Sequence, residues 1–451
     1  MKTNNSPAIY IVSLGCAKNL VDTEVMCGGL AIDGFLLTDQ LDQADIILIN
    51  TCSFIRDARE EAHAEISAAL EWKRQEQGRM VIVGGCLPQR DIEEVRRSYS
   101  EVDMFIGLDD VPHLGKLLQE RVGAGELRAR DFTHPPQYIY DHRTPRLQLT
   151  PANYAYIKIA EGCNHFCRFC AIPAIRGRFR SRDIDSIKAE MRNLLDRGVR
   201  EINLIAQDTT AYGADREGGN GLAELLRECT AIDGDYWIRI LYTHPRYFSE
   251  ELLDVMAACS PRVVPYIDMP LQHISPGILQ AMGRQTPPAN IRKLLKQIRT
   301  RLPEAILRTT FLVGYPGETE ADYQTLRNFV EEIRFDRMGV FAFSPEPGTA
   351  AAEFTTNLVP EATARARRSE LLTIQQDIAL EKNRDLIGKS VRVLVEGAED
   401  SGWFQGRTAG DAPDVDNHVH FESHLEDTIE AGFVQVHIND AGPYDLYGCV
   451  T

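Results

Sequence analysis

Three cysteines near the middle of the chain are spaced in a way that suits metal binding. Cys163, Cys167 and Cys170 form a Cys-x3-Cys-x2-Cys motif in a chain of 451 residues. Thiolates are soft ligands that bind iron–sulfur clusters or zinc. A 4Fe–4S cluster normally takes four cysteines, so three leave one iron without a protein ligand. The motif therefore predicts a cluster loop with an open iron, where substrate chemistry can occur.

Two other interpretations of this motif stay open on spacing alone. Its positions follow the i, i+4, i+7 pattern of a buried helical stripe, in which free cysteine acts as a small apolar residue. A zinc knuckle would need a fourth ligand, for which only His165 lies close in sequence. Gly162 and Pro173 bracket the segment too tightly for a helix, which favours a metal site.

The first part of the chain, residues 1–130, predicts an open α/β domain. Helical patterns separate its apolar segments, and we expect Gly78 to end the helix over residues 57–77. Strands that alternate with helices are typical of a parallel sheet. The segments predicted as short buried strands are residues 9–14, 45–49 and 80–83.

Each of these three strands leads directly into a cysteine. The cysteines are Cys16, Cys52 and Cys86. Ligands bind beyond the carboxyl ends of strands in open α/β sheets, so the three thiols should converge at one edge. The alternative is three unrelated loop cysteines. Repetition of one strand–turn–cysteine pattern favours convergence, and three ligands again leave an open iron, so a second cluster is predicted.

Residues 131–151 are rich in proline and predict an extended linker. Residues 152–380 then carry six βα repeats, with Asp183 as the expected N-cap of the first helix. Six repeats predict an incomplete (β/α)6 barrel, two units short of a full one, with its site at the carboxyl ends of the strands. The strand candidates are residues 156–159, 201–206, 237–241, 263–267, 307–313 and 339–343.

Two turns at this expected face are candidates for holding a small cofactor. Gln207 and Asp208 follow the second strand, and Gly314 and Glu318 follow the fifth. Taken singly, such a turn is more often an ordinary loop, and it is the shared location that makes these turns candidates. The arginines at residues 176, 178, 180 and 182 favour a solvated, salt-bridged face, with recognition of a carboxylate as the alternative.

The last part of the chain, residues 381–451, predicts a small antiparallel β-barrel after a long helix over residues 362–386. Residues 391–451 contain twelve Asp and Glu but only two Arg and no Lys, a net charge of −10. This charge does not suit RNA binding, so docking to a cationic protein is the favoured role. Its strand candidates are residues 390–396, 403–407, 418–422, 433–438 and 446–450.

The composition of the whole chain limits its partners and its compartment. The formal net charge is −17, from 49 Lys and Arg against 66 Asp and Glu. Direct nucleic-acid binding is not expected, because it relies on a basic surface. No apolar run approaches the roughly 18 residues of a membrane span. Ten cysteines and no export signal indicate a cytoplasmic protein that uses thiols for metal or redox chemistry.

These features together resemble the methylthiotransferase family of radical-SAM enzymes over essentially the whole chain. Cys16, Cys52 and Cys86 match its N-terminal cluster ligands, and the central three cysteines match its radical-SAM ligands. Residues 381–451 match its TRAM domain. The sequence Ser-Leu-Gly-Cys-Ala-Lys-Asn-Leu-Val-Asp at residues 13–22 is similar to the branch that modifies a ribosomal protein. The tRNA branch typically has Gln-Met-Asn after the first cysteine.

The resemblance implies the reaction. A methylthio group would be inserted at the β-carbon of an aspartate in small-subunit ribosomal protein twelve, with two 4Fe–4S clusters and S-adenosyl-L-methionine (SAM) as cofactors. SAM would supply both a 5′-deoxyadenosyl radical and the methyl group. A low-potential electron donor and a sulfur source are implied as partners. The alternatives are methylthiolation of a tRNA adenosine and a non-catalytic iron–sulfur electron-transfer protein.

Overall fold

The computed structural model describes residues 6–124, 132, 134–216, 221–399, 402–423 and 432–451. The chain forms two compact units. The first consists of residues 1–149, 160–165 and 170–187, and the second of residues 150–159, 166–169 and 188–451. In the part of the chain that the structure describes, no helix is both long enough and apolar enough to cross a membrane.

Strands and helices alternate through most of the chain. The strands are β1 Ala8–Ser13, β2 Leu36–Thr38, β3 Ile46–Thr51, β4 Met80–Gly85, β5 Met104–Phe105, β6 Tyr154–Lys158, β7 Ala160–Glu161, β8 Arg180–Ser181, β9 Glu201–Ile205, β10 Trp237–Ile240, β11 Tyr266–Asp268, β12 Ile306–Val313, β13 Arg337–Ala342, β14 Ser390–Ala398, β15 Trp403–Thr408, β16 Val419–Glu422, β17 Phe433–Ala441 and β18 Leu446–Val450. The helices are α1 Ala17–Ile32, α2 Arg56–Arg74, α3 Cys86–Ser98, α4 Leu114–Ala124, α5 Ile172–Arg176, α6 Ile184–Asp196, α7 Leu222–Thr230, α8 Glu250–Ala258, α9 Pro276–Ala281, α10 Pro288–Arg301, α11 Glu320–Ile333 and α12 Glu361–Arg384.

The first unit is built on a five-stranded parallel sheet with the order β2-β1-β3-β4-β5. The strand order reverses between β1 and β3, which is the position where open α/β sheets bind ligands. β3 is buried along its whole length, as expected for a strand with both faces covered. The predicted open α/β domain is therefore confirmed.

Two details of the first unit differ from the expectations. β2 and β5 were not predicted, because strands of three and two residues give no readable periodicity. Helix α2 ends at Arg74 and a turn follows it. Gly78, with φ +92°, lies in that turn before β4 and does not cap the helix. The prediction that Gly78 ends the helix was therefore wrong.

The second unit contains the six parallel strands that were expected. β6, β9 and β10 form one sheet, and β11, β12 and β13 form another. A bridge between Ile238 and Val263 connects β10 to the segment before β11. Asp183 accepts a hydrogen bond from Asp185 N at 2.9 Å, as an N-cap residue does. The incomplete (β/α)6 barrel is confirmed.

The C-terminal strands form a closed barrel with the order β14-β15-β16-β18-β17. Four of its pairings are antiparallel, but β16 and β18 run parallel. The expectation of a purely antiparallel barrel is corrected at this pair. Val393, Val419 and Phe421 lie in its apolar core.

A loop of this C-terminal barrel, residues 409–416, packs against the amino-terminal ends of the (β/α)6 strands. Arg239 donates to Ala409 O at 2.9 Å, and Arg337 donates to Asp411 at 2.6 Å. Further contacts join two more aspartates of the loop to β6, β11 and β12. These contacts are Asp414 with Tyr154 and Tyr156, and Asp416 with Tyr266 and Arg308.

These contacts change the interpretation of the acidic tail. Asp411, Asp414 and Asp416 bond residues of the same unit, and Glu396 accepts from Arg407 at 2.6 Å. Four of the twelve acidic residues in the tail thus stabilise the fold. The charge of −10 overstates what the barrel can offer to a cationic partner.

A fully buried ion network lies beside this loop. Glu201, the first residue of β9, accepts from Arg239 Nε at 2.6 Å and from Arg407 Nη2 at 2.7 Å, and all three side chains are inaccessible to solvent. Burial raises the pKa of Glu201, but the two guanidinium groups outweigh it and the pKa is lowered. The carboxylate thus compensates two buried positive charges.

We predict that Glu201→Gln lowers the free energy of unfolding by about 3–5 kcal/mol, because it leaves the buried guanidinium of Arg239 without its carboxylate partner. The matched control is Glu361→Gln, whose exposed carboxylate pairs with Arg365 and should cost about 0.5 kcal/mol or less. Urea unfolding followed by tryptophan fluorescence provides the measurement, since Trp237 is buried against Phe433. Equal losses of unfolding free energy in the two variants would contradict this role of Glu201.

Candidate metal centres

The register of the first sheet brings Cys16, Cys52 and Cys86 to one edge. Ser13 pairs with Asn50, and Thr51 pairs with Gly85. Cys52 and Cys86 each follow the last residue of their strand, and Cys16 is the N-cap residue of α1 after a two-residue turn. The three cysteines thus leave the sheet at the carboxyl ends of neighbouring strands, as the sequence predicted.

Glycine allows the turns to approach each other closely. Gly15 has φ +92°, and a Cβ there would stand 2.6 Å from Cys52 Cβ and 2.9 Å from Cys52 Sγ. Gly85 has φ +91°, and its Cβ would stand 2.6 Å from Thr51 O. A side chain at either position would push the cysteine turns apart.

Two asparagines fix the same turns through backbone bonds. Asn19 donates to Leu14 O at 2.6 Å and to Thr51 O at 3.3 Å. Asn50 donates to Asn19 O at 2.9 Å. Both side chains are buried, so these bonds satisfy backbone groups that water does not reach. The position of the first two cysteines is thus set by hydrogen bonds as well as by the sheet.

Arg176 lies beside these cysteines and is buried. Its Nη2 donates to Cys86 Sγ at 3.2 Å and to Asn19 Oδ1 at 3.1 Å, and its Nη1 donates to Asp22 at 2.6 Å. Glu161 lies 3.4 Å from Nη1. The favoured expectation of a solvated face was therefore wrong for Arg176, and also for Arg182, which is buried over the Tyr140 ring.

The thiol pKa values show how the three cysteines and Arg176 influence one another. Burial raises the pKa of Cys86 to about 12, although Arg176 opposes this. Burial also raises the pKa of Cys52, and the nearby Cys16 raises it further. Desolvation raises the pKa of Cys16, but Lys18, Arg176 and backbone N–H groups outweigh it and the pKa is lowered. A cation is thus placed where it favours thiolates, the form that binds metal.

The central cysteine motif lies in an irregular loop between β7 and α5. No helix covers positions 163–170 in this described loop, so the buried helical stripe is excluded. In the first unit, Cys163 N donates to Gly177 O at 3.2 Å, and Cys163 Sγ accepts from His165 N at 3.4 Å. In the second unit, Cys167 Sγ accepts from Arg284 Nη1 at 3.8 Å. All three cysteines are partly exposed.

The proposed cofactor turns follow β9 and β12, and several of their polar groups also hold the turns in shape. Asp208 accepts from Thr210 Oγ1 at 2.6 Å and from Ala211 N at 3.2 Å. Glu318 is buried and accepts from Gly314 N and from Arg367 Nη1, the latter at 3.0 Å. The assignment of Gln207, Asp208, Gly314 and Glu318 to cofactor binding stays a prediction.

One further interaction of this turn was not readable from sequence. His273 Nε2 lies 3.3 Å from Glu318 Oε1, and both side chains are fully buried. His273 follows β11 and Glu318 follows β12, so the contact depends on the pairing of these two strands. The Pro-Leu-Gln-His sequence at residues 270–273 signals the turn, but nothing in the sequence identifies the partner of its histidine.

Three family models match successive parts of the chain. Residues 8–107 match "Uncharacterized protein family UPF0004", residues 157–330 match the "Radical SAM superfamily", and residues 387–450 match the "TRAM domain". These matches correspond to the open α/β domain, the (β/α)6 barrel and the C-terminal β-barrel.

Solved structures share the fold at low sequence identity. The radical S-adenosylmethionine methyltransferase TsrM from Kitasatospora setae matches with a TM-score of 0.59 and 15% identity, over 87% of this chain and 79% of that chain. The cobalamin-dependent S-adenosylmethionine radical enzyme OxsB matches with a TM-score of 0.53 and 13% identity, over 84% of this chain and 56% of that chain. These matches support the architecture alone.

Curated relatives match the chain from end to end. The "Ribosomal protein uS12 methylthiotransferase RimO" of Geobacter sulfurreducens is 43% identical over 449 residues, or 99% of both chains. The protein of the same name from Geotalea uraniireducens is 43% identical over 452 residues, again 99% of both chains. At this identity and coverage, the chain belongs to the RimO family of radical-SAM methylthiotransferases.

Proposed function

We propose that this enzyme inserts a methylthio group at the β-carbon of one aspartate of ribosomal protein uS12. The observation that carries the proposal is the presence of two separate three-cysteine sets in a chain whose end-to-end relatives bear the uS12 name. Those names favour a ribosomal protein over a tRNA adenosine as the substrate. They also favour an enzyme over a non-catalytic electron-transfer protein.

The cofactors of this family are SAM and two 4Fe–4S clusters. We propose Cys16, Cys52 and Cys86 as the ligands of one cluster. The central motif, Cys163, Cys167 and Cys170, would hold the other. The donor chemistry fits, because three thiols meet at the first sheet edge and Arg176 donates to the sulfur of Cys86. When bound, these groups supply the radical that removes an unactivated hydrogen, together with the sulfur and the methyl group.

The protein's own residues would position these groups. Asn19 and Arg176 hold the first sheet edge in place, and Arg176 keeps a permanent positive charge there. At the second unit, we propose that Gln207, Asp208 and the Gly314 turn lie near SAM. Glu318 then acts as a positioning residue, since its carboxylate is bonded to Gly314 N and Arg367.

The remaining assignments follow from the substrate. A ribosomal protein as substrate implies a cytoplasmic enzyme, which also needs a low-potential one-electron donor and a sulfur source. Direct nucleic-acid binding plays no part in the proposal, because the chain carries a charge of −17. We propose domain boundaries at residues 1–130, 152–380 and 381–451, with 131–151 as the linker.

The substrate is tested by anaerobic turnover with SAM, dithionite as the electron donor and sodium sulfide as the sulfur source, in which purified uS12 and an anticodon-loop RNA are offered separately. We predict a product of about +46 Da, one methylthio group in place of hydrogen, on an aspartate of uS12 and no product on RNA. Tandem mass spectrometry locates the modified residue. An adduct on RNA alone would refute the substrate assignment while leaving the enzyme class intact.

Variants of the two cysteine sets should lose different steps of the reaction. Cys86→Ala should reduce bound iron from about eight to about four per chain and abolish the methylthio product, but leave cleavage of SAM intact. Cys163→Ala should abolish cleavage as well. Cys27→Ala is the control, because Cys27 is buried in α1 away from the strand ends. Full iron content in Cys86→Ala would contradict the ligand assignment.

Arg176 should raise the reduction potential of the first cluster. In a variant with all three central cysteines changed to alanine, Arg176→Met should lower that potential by about 60 mV, a tenfold change for one electron, because a buried positive charge is lost. Arg176→Lys, which keeps the positive charge, should retain most of the original reduction potential. Arg178→Met, an exposed neighbour, is the control. Redox titration followed by electron paramagnetic resonance gives the potential, and equal potentials in Arg176→Met and Arg178→Met would refute this role.

A further inference from the structure

A basic groove lies beside Cys167 in the second unit. Its first part has a volume of about 610 Å³ and is lined by Phe166 and Arg168 of the cysteine loop and by Leu279 and Arg284. Arg284 Nη1 is 3.8 Å from Cys167 Sγ. The groove therefore reaches the loop that carries the proposed radical-SAM cluster.

A second cavity continues this groove. It has a volume of about 350 Å³ and shares Gln285, Thr286 and Pro287 with the first. Its own lining adds Arg246 and Lys293. The two cavities together form a surface, here called the basic groove, that extends from Phe166 and Arg168 of the cysteine loop to Lys293 of helix α10.

The charge of the basic groove is opposite to that of the chain. Arg168, Arg246, Arg284 and Lys293 line it, and none of the described lining residues is an aspartate or a glutamate. The chain as a whole carries −17. Gln297, which lines the groove, donates a hydrogen bond to the carboxylate of Glu250. Arg301 donates to the same carboxylate at 3.2 Å. A positive surface on an acidic protein selects a negatively charged partner.

An exposed aromatic residue lies in the basic groove beside these cations. Phe166 lies between two cysteines of the motif, and 82% of its surface is exposed. Proline and leucine residues line the floor of the groove beside it. An exposed aromatic side chain on a surface that also carries arginines is typical of a protein-binding surface. RNA binding depends instead on many phosphate contacts, for which four cations are few.

We propose that the basic groove is the docking surface of an acidic one-electron carrier protein that reduces the cluster on the Cys167 loop. The inference rests on the proposed function, which requires such a donor. One electron passes from the carrier to the cluster, so the carrier is oxidised by one electron and no bond or proton moves.

The test uses charge reversal far from the cysteines. The double variant Arg246→Glu with Lys293→Glu changes the distal part of the groove. Lys296→Glu is the matched control, because Lys296 is an exposed lysine on the same helix, α10, that does not line either cavity. The probes are an acidic flavodoxin and an acidic ferredoxin, each reduced and mixed with the cluster-loaded enzyme.

We expect one of the two carriers to reduce the double variant at least about tenfold more slowly than the unmodified protein at low salt. In a separate binding measurement without SAM or substrate, the double variant should bind that carrier correspondingly more weakly. Dithionite should reduce all variants at equal rates. Lys296→Glu should behave as the unmodified protein. Equal effects of the double variant and Lys296→Glu, or no effect with either carrier, would overturn the proposal.

Two further readouts separate the alternatives. Loss of single-stranded RNA binding in the double variant, with unchanged reduction by the carriers, would overturn the proposal and assign the groove to RNA. Product formation on uS12 with dithionite tests the proposed function independently of docking. If dithionite drives no product but carrier binding still depends on Arg246 and Lys293, the proposed function fails and the docking surface stands.

Discussion

The register of the parallel strands β1, β3 and β4 is the constraint on which the first candidate metal centre depends. Pairing of Thr51 with Gly85 places the next residues, Cys52 and Cys86, side by side. Because side chains alternate between faces, a slip of one residue would separate these thiols. Three cysteines that are distant in sequence thus become neighbours through backbone hydrogen bonds, before any metal contributes energy.

Electrostatics then makes this edge suitable for thiolates. Arg176 is buried next to Cys86, and its charge is balanced by Asp22 and Glu161. Burial lowers the pKa of Arg176, but the surrounding Cys86, Asp22 and Glu161 outweigh it and raise the pKa, so the guanidinium stays charged. Since Arg176 ends α5, the helix that follows the central cysteine loop, one short segment of sequence serves both cysteine sets.

The second unit distributes charge in an unexpected way. Acidic residues of the C-terminal barrel bond the amino-terminal ends of the (β/α)6 strands, and Glu201 balances two buried arginines. A basic groove is found on the same unit, beside Cys167. Net charge alone therefore does not describe how charge is distributed over this unit.

Much of this organisation could be predicted from the sequence. Strand–turn–cysteine repetition predicted the first sheet edge, because local periodicity carries that information. The burial of Arg176 could not be predicted, since its partner Asp22 is remote in sequence and an alternating arginine run is more typical of a surface. The basic groove was also missed, because its cations come from separate segments that only the fold brings together. Strands as short as β2 and β5 leave no pattern at all.

The presence of two clusters is tested most directly by anomalous X-ray scattering at the iron edge from crystals of the reconstituted enzyme. Two iron peaks of similar height are expected in each chain. One should lie against Cys16, Cys52 and Cys86, with Arg176 beside it, and the other against the central cysteine loop. A single peak at the central loop, with free thiols at the first sheet edge, would contradict the assignment of a second cluster.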